Sequence, residues 1–263
     1  MRLDLYLVTY LYVESRQKAQ RLIKSGCVSI DGRLADKASA EIDDSVEHSV
    51  EITETESERY VSRGGLKLEG ALRAFDISPE GYTCADIGAS TGGFTDCLLQ
   101  NGAKKVYAFD SGKSQLHPSL VSDERVVSKE GFNARYMTAD DTGEPVDLVV
   151  MDVSFISQTL IIPQLVNIMK TDGIFITLVK PQFEAGRAAL GKNGVVKRKE
   201  DRLAAVLRVL DCAQSKGLAF KGLIPSPIKG GDGNEEFLAY FQRNDNGNAS
   251  GYISSDIKKT VLG

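Results

Sequence analysis

Hydrophobic and polar positions recur with helical spacing at the start of the chain. Leu3 to Tyr10 form a short apolar segment of helical length, and a clearer helix is predicted from Ser15 to Ser25. Ser15 is a good N-cap, and Gly26 permits the left-handed conformation that ends a helix. The apolar face of this helix carries Ala19, Leu22 and Ile23. The opposite face carries four cations, Arg16, Lys18, Arg21 and Lys24.

A tight hairpin is predicted directly after this helix. Val28 to Ile30 and Arg33-Leu34 are short β-forming runs. The pair Asp31-Gly32 between them readily supplies the positive φ angles of a two-residue turn.

Strand and helix patterns alternate along the rest of the chain. An amphipathic helix is predicted over residues 62–75, before the break at Pro79-Glu80-Gly81. Strands are predicted at 83–88, 105–110, 125–128, 146–152, 173–178, 219–225 and 236–241, and helices at 92–101, 158–169 and 200–216. This alternation is typical of an α/β fold with a doubly wound sheet, in which a ligand binds at the carboxyl ends of the strands. The polar stretch 244–251 predicts a flexible linker to a short helix over 255–262.

Length and charge divide the chain into parts. Its 263 residues exceed the usual domain size of roughly 100–200 residues, so we expect domains at 1–58 and 59–245, and a linker with a short helix at 246–263. The net charge of −4 argues weakly against a nucleic-acid partner, but residues 1–37 hold seven Lys or Arg against four acids. Residues 38–58 hold eight acids and no Lys or Arg, which indicates solvent exposure or the shielding of a sheet edge.

Several classes of function are disfavoured. Met1 opens no secretory signal, and no apolar run reaches the ~20 residues of a membrane-spanning helix, so we expect a cytoplasmic protein without membrane contact. The four cysteines are scattered without a Cys-x-x-Cys pair, which argues against disulfides and a structural metal. With only two histidines, a His-based hydrolytic triad is disfavoured too.

A glycine-rich turn between a strand and a helix, at residues 84–94, is a candidate cofactor site. Glycine lets the backbone approach a ligand where a Cβ would collide. Asp110 ends the next strand, where an acid commonly holds the hydroxyls of an adenosine ribose. A dinucleotide fits that acid, but the turn lacks the G-x-G-x-x-G spacing that suits a pyrophosphate. Asp86 would repel a pyrophosphate and can orient the cationic sulfonium amino acid of S-adenosylmethionine, which fits better. The predicted cofactor-binding residues are Asp86, Gly88, Ser90, Gly92, Gly93, Phe94, Asp110, Asn133 and Asp152.

The residues of the N-terminal helix and hairpin form the pattern Ser15-Arg16…Ala19…Leu22-Ile23…Gly26…Val28…Asp31-Gly32. This pattern resembles the S4 RNA-binding domain over about residues 1–58. The resemblance implies a small α+β module whose basic helix and hairpin lie on RNA backbone, and a merely solvated cationic face is the alternative. The predicted RNA-binding residues are Arg2, Arg16, Lys18, Arg21, Lys24, Arg33, Arg63 and Arg187.

Four ionisable residues stand at the ends of different predicted elements: Lys67, Asp152, Lys180 and Glu236. Singly, each would be a surface charge or a salt-bridge member. Together they resemble the Lys-Asp-Lys-Glu tetrad of the FtsJ-like RNA 2′-O-methyltransferases. A ribose hydroxyl is a weak nucleophile that needs a positioned base. Lys180 is our candidate base, because the charges of Lys67 and of the sulfonium favour its neutral form. Asp152 and Glu236 are then assigned to orienting the ammonium groups and the hydroxyl.

Longer motifs follow in order along nearly the whole chain, namely Tyr60 to Leu68, Asp86 to Leu99, Asp152 to Ser157, Lys180 to Arg187, and Ser226 through Phe237. They resemble the TlyA family, whose members are often named hemolysins. The resemblance implies a ribosomal RNA cytidine 2′-O-methyltransferase with a Rossmann-like fold, S-adenosylmethionine as cofactor, and ribosomal RNA or a ribosomal subunit as partner. Because the chain begins directly at the RNA-binding domain, it resembles the shorter family type, associated with large-subunit RNA only.

Two stretches depart from the family pattern beside the predicted adenosine pocket. Gly112-Lys113-Ser114-Gln115-Leu116 stands where a Gly-Tyr-Gly-Gln-Leu-like run is expected, and Gly131-Phe132 stands where Arg-Thr is expected. Residues 182–199 predict a mobile lid or an RNA-contacting loop, with a solvated surface loop as the alternative. The cations of this segment are Arg187, Lys192, Lys197 and Arg198.

Other classes of function stay open from the sequence. An RNA-binding or ribosome-assembly factor with an inactive methyltransferase domain would differ in not binding the cofactor. A membrane-lysing protein would need an amphipathic or spanning segment, and none is visible. A pseudouridine synthase would share the N-terminal module, but its reaction does not require Asp86 or the tetrad. The sequence carries no signal for an oligomeric state or for the nucleotide that is modified.

Overall fold

A computed structural model of the chain describes residues 1–13, 15–53, 59–191, 193–230, 233–244 and 254–263. Contacts divide the chain into two units, Met1–Arg59 and Tyr60–Gly263. The predicted linker, apart from Asn244, and Lys192 of the predicted lid lie outside the described residues.

The first unit opens with two helices, α1 (Leu3–Thr9) and α2 (Arg16–Lys24). Ser15 caps α2 by accepting a hydrogen bond from the Lys18 N–H at 3.2 Å, as its sequence predicts. The three predicted apolar residues of α2 are buried in one cluster with residues of α1, and its cations are exposed or half-buried. Helical spacing and a capping serine were therefore sufficient to predict this element.

Three short strands complete the first unit: β1 (Val28–Ile30), β2 (Arg33–Leu34) and β3 (Val50–Ile52). Asp31 and Gly32 have φ angles of 51° and 74°, which is the turn expected between β1 and β2. The sheet order is β2-β1-β3, and both pairings are antiparallel. The sequence analysis missed β3, which lies in the acidic stretch and covers the second edge of β1. Three residues are too few to show a period-two pattern.

A seven-stranded sheet forms the centre of the second unit. Its strands are β4 (Thr83–Ile87), β5 (Lys105–Asp110), β6 (Val126–Glu130), β7 (Val146–Met151), β8 (Met169–Val179), β9 (Leu218–Pro225) and β10 (Phe237–Arg243). The strand order is β6-β5-β4-β7-β8-β10-β9, and β10 runs antiparallel to both of its neighbours. The predicted doubly wound α/β fold is confirmed. The strands β5 and β6 lie on one side of β4, and β7 and β8 lie on the other. A crevice therefore opens beyond the carboxyl ends of β4 and its neighbours.

Helices cover both faces of this sheet. They are α3 (Gly64–Ala74), α4 (Gly93–Gln100), α5 (Pro118–Val121), α6 (Ile162–Leu165), α7 (Pro181–Glu184), α8 (Lys199–Gln214) and α9 (Ser254–Leu262). One core packs α3 and α4 against the sheet, and the other packs α6, α8 and α9 against the opposite face. Alternate residues of β8 enter the two cores, which is why the strand is apolar on both sides.

The predicted helix at 158–169 is wrong in most of its length. A 3-10 turn (Gln158–Leu160) precedes the short helix α6, and β8 already begins at Met169. Pro163 is the reason, because it lacks the N–H that a helix continuing from Thr159 would require. The proline is tolerated where it stands, in the first turn of α6.

Candidate active site

Two adjoining cavities open at the carboxyl ends of the central strands, with volumes of about 300 Å³ and 370 Å³. They share the lining residues Gly88, Ser90, Asp152 and Ser154. We call the smaller one the acceptor cavity, because it is lined by three residues of the candidate tetrad that would act on the methyl acceptor. We call the larger one the adenosine cavity, because it is lined by Asp110, which is expected to hold an adenosine ribose. Together they have the size of a site for a small organic cofactor.

Lys180 and Asp152 form an ion pair in the acceptor cavity. Asp152 follows the end of β7 and Lys180 follows the end of β8, and these two strands are parallel neighbours. The Lys180 Nζ lies 2.5 Å from Asp152 Oδ1 and donates a hydrogen bond to Ser154 Oγ at 3.0 Å. Adjacent parallel strands therefore bring together two residues that are 28 positions apart in the sequence, since 180 − 152 = 28.

Lys67 and Glu236 form a second ion pair. Lys67 lies on α3 and Glu236 immediately precedes β10, and their Nζ and Oε2 atoms are 2.6 Å apart. Both residues are buried, with 9% and 4% of their surfaces exposed. Lys67 also lines the acceptor cavity with Lys180 and Asp152. The structure thus places all four residues of the candidate tetrad at one end of the sheet.

Asp86 lies in β4 beneath the glycine-rich turn and is fully buried. Its Oδ2 accepts a hydrogen bond from Thr95 Oγ1 at 2.7 Å, whereas its Oδ1 has no hydrogen-bond partner among the described residues. Burial, aided by the negative charges of Asp152 and Asp110, raises the pKa of the Asp86 carboxyl to about 7. A buried carboxylate with one unused oxygen suits a cationic ligand.

The glycines of the turn permit close approach of the backbone. Gly88 has a φ of 86°, and a Cβ there would lie 2.5 Å from the Asp152 carbonyl oxygen. Gly92 has a φ of 96° and caps α4, and a Cβ on Gly93 would lie 2.2 Å from Ser62 Oγ. Phe94 is buried and lines the acceptor cavity. Positions 88, 92 and 93 therefore require glycine for steric reasons.

Asp110 ends β5 and lines the adenosine cavity. Its Oδ1 accepts the Gly112 N–H at 2.6 Å and its Oδ2 accepts the Ser90 N–H at 2.8 Å. Each carboxylate oxygen can accept a second hydrogen bond, as a ribose hydroxyl requires. Asn133, also in the lining, is exposed and accepts the Arg135 N–H at 3.2 Å. The apolar side chains of the same cavity are Ile87, Phe109, Phe132, Val153, Phe155, Ile156 and Ile161.

Both departures from the family pattern lie beside this cavity. Phe132 packs on Phe109, with ring centroids 4.9 Å apart, and so contributes an apolar wall. Ser114 has a φ of 55°, a left-handed conformation, at the position where the family pattern has glycine. Its N–H, like those of Gln115 and Leu116, is donated to the Glu130 carboxylate. The hydrogen bonds from these three backbone N–H groups lower the pKa of Glu130, and the one from Leu116 has the largest effect.

Glycine at position 114 should therefore stabilise this chain. Ser114→Gly removes the strain of a left-handed serine, which exceeds the added freedom of the unfolded chain, so we expect a gain of roughly 0.5–1 kcal/mol in the free energy of unfolding. Urea denaturation measures it. Ser128→Gly, in the extended strand β6, is the control and should lower the stability instead. A loss of stability in Ser114→Gly would contradict the assignment of strain to this position.

The predicted RNA-binding residues Arg2 and Arg16 meet on one buried carboxylate. Asp4 is fully buried and accepts from Arg2 Nε at 3.0 Å, Arg16 Nε at 2.9 Å and Gln20 Nε2 at 2.7 Å. The hydrogen bond from Arg2, with those from Gln20 and Arg16, holds the pKa of Asp4 below its ordinary value although burial opposes this. The two guanidinium groups keep about half of their side-chain surface exposed, 46% and 51%.

The remaining predicted RNA-binding residues lie in both units. Lys18, Arg21 and Lys24 are on α2, and Arg33 is exposed on β2. In the second unit, Arg63 donates a hydrogen bond to the Lys229 carbonyl at 3.3 Å, and both residues line the acceptor cavity. Arg187 is exposed in the 3-10 turn Arg187–Ala189, within the predicted lid.

A third cavity, of about 320 Å³, adjoins Lys180 and Glu236 and was not predicted from the sequence. We call it the outer cavity. Phe155 in its lining is 92% exposed, has a φ of 63°, and packs its ring 5.1 Å from that of Phe183. The Oε1 atom of Gln182 is buried there without a hydrogen-bond partner among the described residues. All three residues lie in motifs that the sequence analysis quoted, but nothing in the motifs alone distinguished them from surface residues.

Two other features are absent from the described part of the chain. No group of three or more His, Cys, Asp or Glu side chains there could hold a metal ion. No described helix has the length and apolar character needed to cross a membrane.

Family models and known proteins match both units. The S4 domain model matches residues 1–47, and the FtsJ-like methyltransferase model matches residues 60–243. The 16S/23S rRNA (cytidine-2′-O)-methyltransferase TlyA of Mycobacterium tuberculosis is 45% identical over 242 residues, 92% of this chain and 89% of that protein. Hemolysin A of Brachyspira hyodysenteriae is 43% identical over 246 residues, 92% of this chain and 99% of that protein. A solved structure from Streptococcus thermophilus, described provisionally as a hemolysin, covers 100% of this chain and 94% of its own, with 43% identity and a TM-score of 0.77.

Proposed function

Because the chain belongs to the FtsJ-like methyltransferase family and carries an S4 domain, we propose that it methylates the ribose 2′-hydroxyl of a cytidine in ribosomal RNA. The observation that carries this proposal is the presence of two ion pairs, Lys180–Asp152 and Lys67–Glu236, at the acceptor cavity, which adjoins the adenosine cavity. The nucleotide class follows the named activity of the relative from Mycobacterium tuberculosis.

The residues around the two cavities fit S-adenosylmethionine, the cofactor of this family. When bound, it would supply an electrophilic methyl group on a sulfonium, whose sulfur–methyl bond breaks on transfer to leave a neutral thioether. Asp110, in the lining, would accept from its ribose hydroxyls, and Asp86, which lies buried beneath the glycine-rich turn and lines neither cavity, would orient its cationic amino-acid part through the charge of its carboxylate. Phe109, Phe132 and Ile156 would enclose the adenine. Gly88 lets the glycine-rich turn lie against the segment after β7 beside both cavities, because a Cβ there would collide with the Asp152 carbonyl oxygen.

Lys180 has the position of the general base. Lys180 lines the acceptor cavity, and the ion pair with Asp152 and the hydrogen bond to Ser154 fix the direction of its Nζ. For this step Lys180, which pairs with Asp152 as an ammonium, first gives a proton to solvent, and its Nζ then takes the proton that the 2′-hydroxyl loses as the hydroxyl oxygen forms its new bond to carbon. Asp152 then stabilises the resulting ammonium, and proton loss to solvent restores the amine.

Lys67 and Glu236 orient the acceptor ribose in this proposal. Lys67 Nζ uses one of its three hydrogens on Glu236 and has others for the 2′- or 3′-oxygen of the ribose. Glu236 in turn is held by Lys67 and by Gln182 Nε2, which donates at 3.4 Å. Orienting the 2′-hydroxyl contributes more to the rate than removing its proton does, because the attack on carbon must be in line.

The outer cavity would receive the nucleobase of the acceptor. A base outside its helix stacks on aromatic rings, and Phe155 presents an exposed ring beside Lys180. The free Oε1 of Gln182 can accept a hydrogen bond from the amino group of cytosine. This acceptor atom favours a base with an amino group, such as cytosine, over uracil.

Phe155→Ala should raise the KM for the RNA substrate by about 5- to 100-fold, because one stacked base contributes about 1–3 kcal/mol. Phe155 also lines the adenosine cavity, so the affinity for S-adenosylmethionine should fall as well, but by a smaller factor, and steady-state kinetics with calorimetry separates the two effects. Tyr136→Ala is the control, since Tyr136 is 72% exposed in the second unit and lines none of these three cavities. Equal effects of the two replacements would argue against a base-stacking role for Phe155.

The S4 domain would hold ribosomal RNA or a ribosomal subunit in the cytoplasm. Asp4 fixes the Arg2 and Arg16 guanidinium groups side by side, so that their outward N–H groups can meet phosphate oxygens. The cations of α2, with Arg33, would extend this contact along the backbone. Arg63 and Arg187 would contact the acceptor strand near the cavity.

Methyl transfer to ribosomal subunits tests the proposal. Purified protein is incubated with methyl-labelled S-adenosylmethionine and subunits from a strain that lacks the gene, and cofactor binding is measured by calorimetry. We expect binding and label in the RNA. Cofactor binding without label would exclude ribosomal RNA as the acceptor. Neither binding nor label would indicate an RNA-binding assembly factor with an inactive methyltransferase domain.

A further inference from the structure

Glu184, at the end of α7, is a buried carboxylate outside the candidate tetrad. Only 2% of its surface is exposed. Its Oε2 accepts a hydrogen bond from Ser157 Oγ at 2.6 Å, and its Oε1 accepts the Gln158 N–H at 2.8 Å. Arg208 on α8 donates to its backbone carbonyl. The side chain therefore joins two segments of the chain, those that follow β7 and β8.

These two segments carry the catalytic pair. Asp152 begins the segment that reaches Ser157 and Gln158, and Lys180 begins the segment that reaches Glu184. Gln158 extends the connection, because its Nε2 donates to the Leu178 carbonyl at 2.6 Å and its Oε1 accepts from Thr177 Oγ1 at 2.9 Å. One polar network thus joins the end of β8 to the segments that begin with Asp152 and Lys180.

Burying a carboxylate in a protein interior costs free energy, because the charged group loses its hydration. Burial raises the pKa of the Glu184 carboxyl, and the hydrogen bonds from Ser157 and Gln158 oppose that rise. An apolar side chain of similar volume would pack there without a desolvation cost, but it could not hold a hydroxyl and an amide in fixed directions. What the carboxylate adds is therefore a fixed relative position of the two segments.

We infer that Glu184 is a positioning residue, which sets the distance and direction of Lys180 relative to Asp152 by tying together the segments that carry them. The inference rests on the proposed function, since it gives Glu184 a role in that reaction. Glu184 does not touch the cavities that would hold the substrates, so it acts through Lys180 and Asp152 only.

The test compares three variants with the wild-type protein. Glu184→Ala should lower kcat about 10- to 100-fold, because small misplacements of a catalytic group have effects of this size. The calorimetric affinity for S-adenosylmethionine should change less than about threefold, because Asp86 and Asp110 are untouched. Glu184→Gln should restore most of kcat, since its amide oxygen can accept the Gln158 N–H and its NH₂ can donate to Ser157 Oγ. Ser157→Ala removes one of the two hydrogen bonds and should give an intermediate loss.

Asp147→Ala is the matched control. Asp147 lies at the other end of β7, accepts the Thr83 N–H at 2.9 Å and pairs with Lys170. Its replacement removes a carboxylate that also holds a backbone N–H, but far from Lys180, so it should lower thermal stability and leave kcat unchanged at a temperature below unfolding.

Hydrogen exchange supplies a readout without catalysis. The Gln158 amide should exchange faster in Glu184→Ala than in the wild type, and at the wild-type rate in Asp147→Ala. The inference is overturned if Glu184→Ala keeps the wild-type kcat, if Glu184→Gln fails to restore it, or if kcat falls equally in Asp147→Ala. A wild-type protein that transfers no methyl group overturns the proposed function instead, and an unchanged exchange rate at Gln158 in Glu184→Ala would then overturn the positioning role as well.

Discussion

Replacing Lys180 with alanine will lower the rate of methyl transfer by about 10²- to 10⁴-fold, the usual contribution of a positioned general base. The side chain lies at the acceptor cavity with its Nζ fixed by Asp152 and Ser154. Alanine removes the group that takes the hydroxyl proton but leaves Asp86 and Asp110 in place for the cofactor. Single-turnover kinetics measures the loss, and calorimetry should show that S-adenosylmethionine still binds.

The same two strands provide the control for this prediction. Lys170 Nζ lies 2.5 Å from Asp147 Oδ1, the same distance as in the Lys180–Asp152 pair, but at the opposite end of β7 and β8. Lys170→Ala thus removes an equivalent pair far from the cavities and should leave the rate unchanged. Full activity in Lys180→Ala, or equal losses in both variants, would show that Lys180 is not the base.

The second large effect concerns the buried pair of Lys67 and Glu236. Lys67→Met leaves the Glu236 carboxylate buried without its cation, and breaking such a pair lowers the free energy of unfolding by about 3–5 kcal/mol. Adding Glu236→Gln removes the unpaired charge, so the double variant should recover much of that stability. Methyl transfer should stay low in both, because neither can orient the ribose. Urea denaturation and the labelled-methyl assay measure the two properties separately.

An exposed ion pair provides the comparison. Lys105 and Glu144 are 3.0 Å apart, but 34% and 45% of their side-chain surfaces are exposed, so Lys105→Met should lower the stability by less than about 1 kcal/mol. If the double variant at Lys67 and Glu236 regained both stability and activity, the pair would have a structural role only.

Local signals explain how much of the fold the sequence predicted. The helix α2, the β1–β2 turn and the strands β4, β5 and β7 were predicted within a residue or two, because a cap, an Asp-Gly pair or an apolar run defines each locally. The resemblance to the TlyA family is confirmed by the matches over most of the chain. The sequence patterns did not indicate that β10 runs antiparallel, since hydrophobic periodicity carries no strand direction.

The failures also have physical causes. The helix predicted over 158–169 overlooked Pro163, and β3 was too short to show a pattern. Lys67, Asp152, Lys180 and Glu236 could be singled out as candidates because they stand at or near the ends of predicted elements within recognisable motifs, and their catalytic roles stay predictions. Glu184 and Phe155 could not, because a buried carboxylate and an exposed ring become informative only when their tertiary surroundings are known. Arg2 and Arg16 were predicted as cations for RNA, but the buried Asp4 that pairs them depends on the packing of α1 and α2.

The most direct test of the central claim is the chemical identity of the methylated nucleoside. Ribosomal RNA that has been methylated by the purified protein is digested to nucleosides and analysed by mass spectrometry, with the Lys180→Ala protein as the control. We predict that 2′-O-methylcytidine increases with the wild-type protein and not with the variant. A methyl group on a base, or an equal increase of 2′-O-methylcytidine with both proteins, would contradict a ribose methyltransferase that uses Lys180 as its base.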